Sequence, residues 1–177
     1  MIQIVLLRGI NVGGHRRVPM ADLRALLAGL GYDGARTYLQ SGNVVLESKA
    51  SSKTVRRTIE RAILAELGLD VAIFVRTRDE LAEVIAKNPL GDVALDPSRY
   101  LVSFLSAEPD AALVREAAAV DVRPEQFVVS GREIYAWHPD GVHASKLAKV
   151  LSERRLGVTA TARNWNTVTK LLELADE

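Results

Sequence analysis

The sequence predicts an α+β chain of two tandem units, each an antiparallel sheet with helices, followed by a C-terminal helix. Three observations carry this. Short apolar runs of strand length alternate with longer stretches of helical periodicity. Over residues 1–78 their order is β-α-β-β-α-β, and a similar order returns over residues 79–177. The junctions between them carry glycine, proline or capping residues. This order is the split βαβ, or ferredoxin-like α/β plait, arrangement.

Residues 3–8 (QIVLLR) form a nearly continuous apolar run that reads as a buried strand. Pro19 opens a helix in which Leu23, Leu26, Leu27 and Leu30 share one face, and Gly31 stands where a C-terminal cap belongs. Residues 37–39 give a second strand, Ser41 and Gly42 the turn, and residues 44–46 the returning strand. Ser51 or Ser52 caps a helix striped with Val55, Ile59, Ile63 and Leu67 and closed by Gly68. Residues 71–75 complete the first plait, so its expected span is 1–78. Thr77 to Glu80 is a capping-box pattern opening a connector helix.

The second unit, expected over residues 79–177 with that connector and the last helix, follows in the same manner. Residues 100–105 (YLVSFL) are a strand and residues 110–119 an alanine-rich helix. Residues 127–129 and 134–137 form a hairpin around Ser130-Gly131-Arg132. Residues 145–156 read as one helix, residues 158–161 as a closing strand, and Asn164 as the cap of a final helix bearing Trp165, Val168, Leu171 and Leu172 on one side. Only element order repeats between the halves; the residues do not.

Composition excludes several classes. The 177 residues are 48% hydrophobic and 25% charged, which excludes disorder as the main state. There is no cysteine, so disulfides, thiolate nucleophiles and cysteine-ligated zinc are excluded, and a cytoplasmic location is expected. No 18-residue apolar run offers a membrane span, and residues 1–8 lack the basic start of a signal peptide. Charge is unevenly spread although the net is only +1. Residues 1–76 hold 11 Lys/Arg against 6 Asp/Glu, residues 77–142 hold 6 against 12, and residues 143–170 hold 6 against 1. Two basic regions therefore bracket an acidic one. They suit an anionic partner, or else solvated helix faces.

Four polar motifs stand out. Arg8-Gly9-Ile10-Asn11-Val12-Gly13-Gly14 lies between a strand and a helix, and His15, Arg16 and Arg17 follow it. Glycines and asparagine there permit positive φ and outward N–H groups, which suit a phosphate or carboxylate or else a tight turn. It matches neither the P-loop nor the dinucleotide fingerprint. Gln40-Ser41-Gly42-Asn43 places a hydroxyl and two amides at a hairpin turn, where such groups usually bond their own backbone. Ser145-Lys146 pairs a serine with a lysine, but the helix-cap reading of Ser145 is favoured over a dyad. Arg163-Asn164-Trp165-Asn166 groups polar residues around a core tryptophan, for a ligand or a buried polar network. His15, His138 and His143 have no carboxylate at a telling spacing, so no metal is expected. Residues 43–47 carry no aromatic, which disfavours base stacking on the first sheet.

LLRGINVGG at 6–14, VPMADLRALL at 18–27, TYLQSGNV at 37–44, NPL at 88–90, YAWHPDG through SKL at 135–147 and TARNWNTVTKL at 161–171 together resemble the bacterial domain-of-unknown-function family 1697. The resemblance runs in order over essentially the whole chain. Ala148 and Ala162 depart from it, standing where the family pattern more often has a hydroxyl. It implies a two-domain α+β fold of ferredoxin-like plaits and no particular activity or cofactor. The motif positions it singles out are Arg8, Asn11, Gly13, Gly14, Ser41, Asn43, Ser145, Lys146, Arg163, Asn164 and Asn166. The leading functional expectation is binding of a small anionic ligand, a nucleotide or phosphorylated metabolite, at the glycine loop. An enzyme of transferase or hydrolase type using the same polar residues is the alternative. Non-specific nucleic-acid binding through basic faces is a third, and no membrane partner is expected.

Overall fold

The computed structural model describes residues 1–177. The elements in chain order are β1 (Ile2–Leu7), α1 (Met20–Gly29), β2 (Arg36–Tyr38), β3 (Asn43–Glu47), α2 (Ser52–Leu67), β4 (Ile73–Thr77), α3 (Arg78–Lys87), β5 (Tyr100–Leu105), α4 (Ala111–Ala118), β6 (Gln126–Ser130), β7 (Glu133–Trp137), α5 (Lys146–Val150), α6 (Glu153–Leu156), β8 (Ala160–Asn164) and α7 (Trp165–Asp176). They form two compact units. Unit 1 is Met1–Glu83 with Lys170–Glu177, and unit 2 is Val84–Thr169. The division falls inside α3 and again inside α7, whereas the sequence places the boundary at the start of α3.

In unit 1 the strand order is β2-β3-β1-β4, every neighbouring pair being antiparallel. That is the order a βαββαβ plait requires. Leu23, Leu26 and Leu27 of α1 and Val55, Ile59 and Ile63 of α2 pack on Val5, Leu7, Val44, Leu46, Ile73 and Val75. Local chemistry sets the helix limits. Ser51 accepts from the Thr54 N–H and caps α2, and Gly68 ends it at φ +66°. After α1, Gly31 at φ +89° permits bonds from Gly31 N to Ala28 O and from Tyr32 N to Leu27 O, the paired closure of a Schellman cap. The expected capping box forms: the Thr77 N–H donates to Glu80 Oε2 at 2.8 Å, and the Glu80 N–H to Thr77 Oγ1 at 3.1 Å.

Unit 2 repeats the topology as β6-β7-β5-β8, again antiparallel throughout. Its core gathers Leu105, Ala117, Val122, Ile134, Ala136, Leu147, Val150 and Leu156. Tyr100, Val102, Phe104 and Tyr135, on the other face of the sheet, are buried too, so they present no exposed stacking platform. Tyr100 stacks on Trp165 at 4.8 Å, and the Tyr135 hydroxyl donates to Val84 O at 2.7 Å.

Two expectations for unit 2 are corrected. The single helix expected over residues 145–156 is α5 and α6, because Leu151 leaves helical geometry and Ser152, at ψ 149°, starts a new turn. The closing strand is Ala160–Asn164 rather than 158–161. An apolar-run criterion stops at Arg163 and Asn164, yet both belong to the ladder, pairing with Val102 and Leu101. In unit 1, β4 likewise runs two residues beyond the expected end, through Arg76 and Thr77.

Candidate functional site

At one end of the unit 1 sheet β1 ends, β2 turns into β3, and β4 begins. The Leu7 N–H donates to Gly42 O at 2.8 Å and the Arg8 N–H to Ala72 O at 3.0 Å, so all three connections meet there. The segment from Arg8 to Pro19 is a loop with left-handed backbone at Gly9, Asn11, Gly13, Gly14 and Arg16. Asn11 anchors it. Its Nδ2 donates to Val18 O at 2.9 Å and to Gln40 O at 2.6 Å, while its Oδ1 accepts from the Val18 N–H at 2.8 Å. Arg16 reaches the carbonyl of Asp70. The loop is thereby tied to both neighbouring connections, and its tip is left outside.

The tip is open. Residues 12–17 are exposed, and an added side chain at Gly13 or Gly14 would meet nothing within 4 Å. The N–H groups of Gly13 and Gly14 have no partner within the protein. Loop and helix are continuous, since α1 follows with Pro19 at its N-cap and no side-chain cap. The exposed donors of the tip and the N-terminus of a helix without a side-chain cap both carry partial positive charge.

The β2–β3 turn is the loop's neighbour. Leu39 is half exposed at φ +59°, an unfavourable conformation for a leucine. Asn43 is fully buried and donates to Tyr38 O at 2.8 Å and Ser41 Oγ at 2.9 Å. Gly42, at φ +83°, has no room for a side chain: a Cβ there would lie 2.7 Å from Leu7 Cβ and 2.8 Å from Ile10 Cδ1. Unit 1 thus brings Arg8, Asn11, Gly13, Gly14, Ser41 and Asn43 to one sheet end. Within that group Asn11 and Asn43 are structural clasps, and the glycines are the open part. A groove of about 510 Å³ lined by Tyr32, Asp33, Glu47 and Lys49 lies at the other end of the same sheet and involves none of these residues.

In unit 2, Trp137 of β7 and Asn164 of β8 pair with adjacent residues of β5, so the chain leaves the sheet at the same end after both, at residues 138–146 and at 165–166. Residues 97–99 link them there: the His138 N–H donates to Arg99 O and the Trp165 N–H to Pro97 O. Asn164 caps α7 by accepting from the Thr167 N–H at 3.0 Å. Asn166 and Lys146 are exposed. Arg163 is buried, donates to Thr161 Oγ1 and Ala162 O, and is pushed down to about 10 by that burial. Ser145 is buried and caps α5, its Oγ accepting from the Ala148 N–H at 3.0 Å. The cap reading of Ser145 holds.

The sequence reading missed Glu125 and, with it, the role of His138. Glu125 Oε2 lies 2.7 Å from His138 Nδ1 and accepts from the Ser145 hydroxyl at 2.5 Å, while Oε1 accepts from the Leu147 N–H at 3.1 Å. Burial pushes the Glu125 carboxyl up, but the bonds from Ser145, Leu147 and His138 outweigh it and hold the group below its usual value. The statement that no histidine has a telling carboxylate is therefore corrected. A signal existed: the hairpin register pairs Gln126 with Trp137, and one step further sets Glu125 opposite His138. No group of three His, Cys, Asp or Glu side chains is arranged to hold a metal ion. No helix is long and apolar enough to cross a membrane.

The sequence matches the family described as protein of unknown function (DUF1697) over residues 1–135. The chain belongs to the DUF1697 family. The matched residues include the glycine loop and the β2–β3 turn, and they end before Ser145, Lys146, Arg163, Asn164 and Asn166. A solved structure of a conserved bacterial protein from Streptococcus pneumoniae is similar to this DUF1697 chain at 22% identity and a TM-score of 0.78, covering 98% of each chain. That likeness concerns the fold. No curated protein matches the sequence.

Proposed function

We propose that unit 1 binds a small anionic ligand, a nucleotide or phosphorylated metabolite, at the glycine loop. One observation carries the reading: the Gly13 and Gly14 N–H groups are exposed and unpartnered at the tip of a loop that Asn11 holds in place from behind. A phosphate accepts from such donors without requiring the loop to reorganise. Exposed His15 and Arg17 stand beside them, and the excess of basic residues over positions 1–76 favours approach of an anion. A cytoplasmic setting, where such metabolites occur, belongs to the same proposal and is supported by the absence of cysteine.

The test is a thermal-shift panel of nucleotides, phosphorylated metabolites and short oligonucleotides. A ligand at one hundred times its dissociation constant stabilises by about 2.7 kcal/mol, which raises Tm by several degrees. The shift is expected to vanish in a chain carrying Arg8→Ala with Gly13→Val. A shift that survives both substitutions overturns the assignment to this loop. An oligonucleotide hit with a steep salt dependence would instead favour backbone-phosphate binding through basic faces.

A further inference from the structure

We propose that His138 is a chemically active base, acting through Nε2, at a second site on the β7–α5 turn of unit 2. Glu125 is its positioning residue. The proposal stands on hydrogen-bond direction. Both Glu125 oxygens are occupied as acceptors, Oε2 by the Ser145 hydroxyl and Oε1 by the Leu147 N–H. An ionised carboxylate only accepts, so the 2.7 Å contact to His138 Nδ1 is an N–H donation from the ring. The second contact of Nδ1, 3.1 Å to Ser145 Oγ, shares that hydrogen. In the neutral ring the lone pair is then fixed on Nε2.

Nε2 itself has no partner in the protein, and it is not among the buried polar atoms sealed off without one. The side chain is 3% exposed, and Nε2 is not closed off from that small opening. Buried polar groups generally find a partner in the protein or in ordered water, and Nε2 finds none in the protein. The turn above it is also conformationally unusual. Ala144 sits at φ +59°, a left-handed backbone state unfavourable for an alanine, directly before Ser145. Backbone strain of this kind collects where a site is held in a working geometry.

The arrangement is not a serine triad. Ser145 Oγ and Glu125 Oε2 both lie on the Nδ1 side, and Ser145 is engaged as a helix cap. The group that His138 activates is therefore a water or a hydroxyl of a small substrate. Its O–H bond breaks, the electron pair stays on oxygen, and a new N–H bond forms at Nε2. The imidazolium so formed is stabilised by the Glu125 carboxylate across Nδ1. This site is independent of the glycine loop of unit 1.

Two measurements on the full chain test it. The first is side-chain 15N NMR of the unsubstituted protein, where the neutral His138 ring is expected as the Nδ1–H tautomer. An Nε2–H tautomer overturns the proposal. The second is acylation by diethyl pyrocarbonate, mapped by mass spectrometry. Nε2 attacks one carbonyl carbon, ethyl carbonate leaves with the electron pair of the broken C–O bond, and the Nδ1 hydrogen passes to Glu125. His138 is expected to react, and Glu125→Gln to slow it roughly tenfold relative to His143 on the same chain. A His138 that stays unmodified while His15 and His143 react to completion overturns the proposal. So does a rate that Glu125→Gln leaves unchanged.

Discussion

Two plaits of one topology carry their polar chemistry at different connections and in different currencies. In unit 1 the elaborate connection is β1 to α1, and its counterpart in unit 2, from β5 to α4, is a short link capped by Asp110. In unit 2 the elaborate connection is β7 to α5, and its counterpart in unit 1, from β3 to α2, is a short link capped by Ser51. The unit 1 loop leaves the main-chain N–H groups of Gly13 and Gly14 exposed at its tip. The unit 2 turn works through buried side chains, Glu125, His138 and Ser145, that satisfy one another. The sheet order fixes where a connection leaves the core. What it offers to a ligand is set by its residues, and one topology accommodates both designs.

The contrast can be broken at its supports. Gly42→Val should have the largest effect, about 4 kcal/mol, because it adds atoms against Leu7 and Ile10 at a left-handed position. Urea denaturation measures it, and a loss below about 1 kcal/mol would show that the loop's floor is not rigid. Glu125→Gln comes next, at about 2 kcal/mol near neutral pH, since it disturbs three hydrogen bonds at a largely buried carboxylate. Its pH dependence has a definite sign. The folded carboxyl titrates below the ordinary glutamate range, so its contribution is present at and above that range. It is lost as pH falls through the folded value, where the carboxylate takes up its proton. Melting curves should therefore show the parent losing stability into acid and the variant lacking that part of the loss.

Asn11→Ala should cost about 2 kcal/mol by removing three hydrogen bonds, and Asn11→Gly slightly less, since glycine accepts φ +55°. The difference between the two variants separates the clasp from the backbone conformation. Ser51→Ala, in the simple connection of unit 1, should cost only about 1 kcal/mol and leave ligand binding unchanged. Together the substitutions at these four positions rank main-chain packing, the buried network, the clasp and a plain cap.

Much of this was legible in the sequence. β1 and β3 of unit 1 are apolar runs, and α1 and α2 carry leucine and isoleucine at helical spacing, with Gly31 and Gly68 at their C-terminal ends and Ser51 capping α2. Such local signals are strong because core and cap act within a few residues. The strand ends were misread at polar residues inside the ladder, Arg76 in β4 and Arg163 and Asn164 in β8, whose neighbours in space decide their state. The glycine loop was visible from composition. That Asn11 is its clasp and Gly13 and Gly14 its open tip was not, because the clasp closes on Gln40, far along the chain. Glu125 was missed since its partners lie across a hairpin and at a helix start, where only the register connects them.

The most direct measurement is an amide-resolved NMR titration of the whole chain with adenosine diphosphate and, separately, inorganic pyrophosphate. Binding at the glycine loop predicts saturable shifts of the Gly13 and Gly14 amides, with His15 to Arg17 following. Saturation that leaves the Gly13 and Gly14 amides in place, or no saturable shift with either anion, would contradict it.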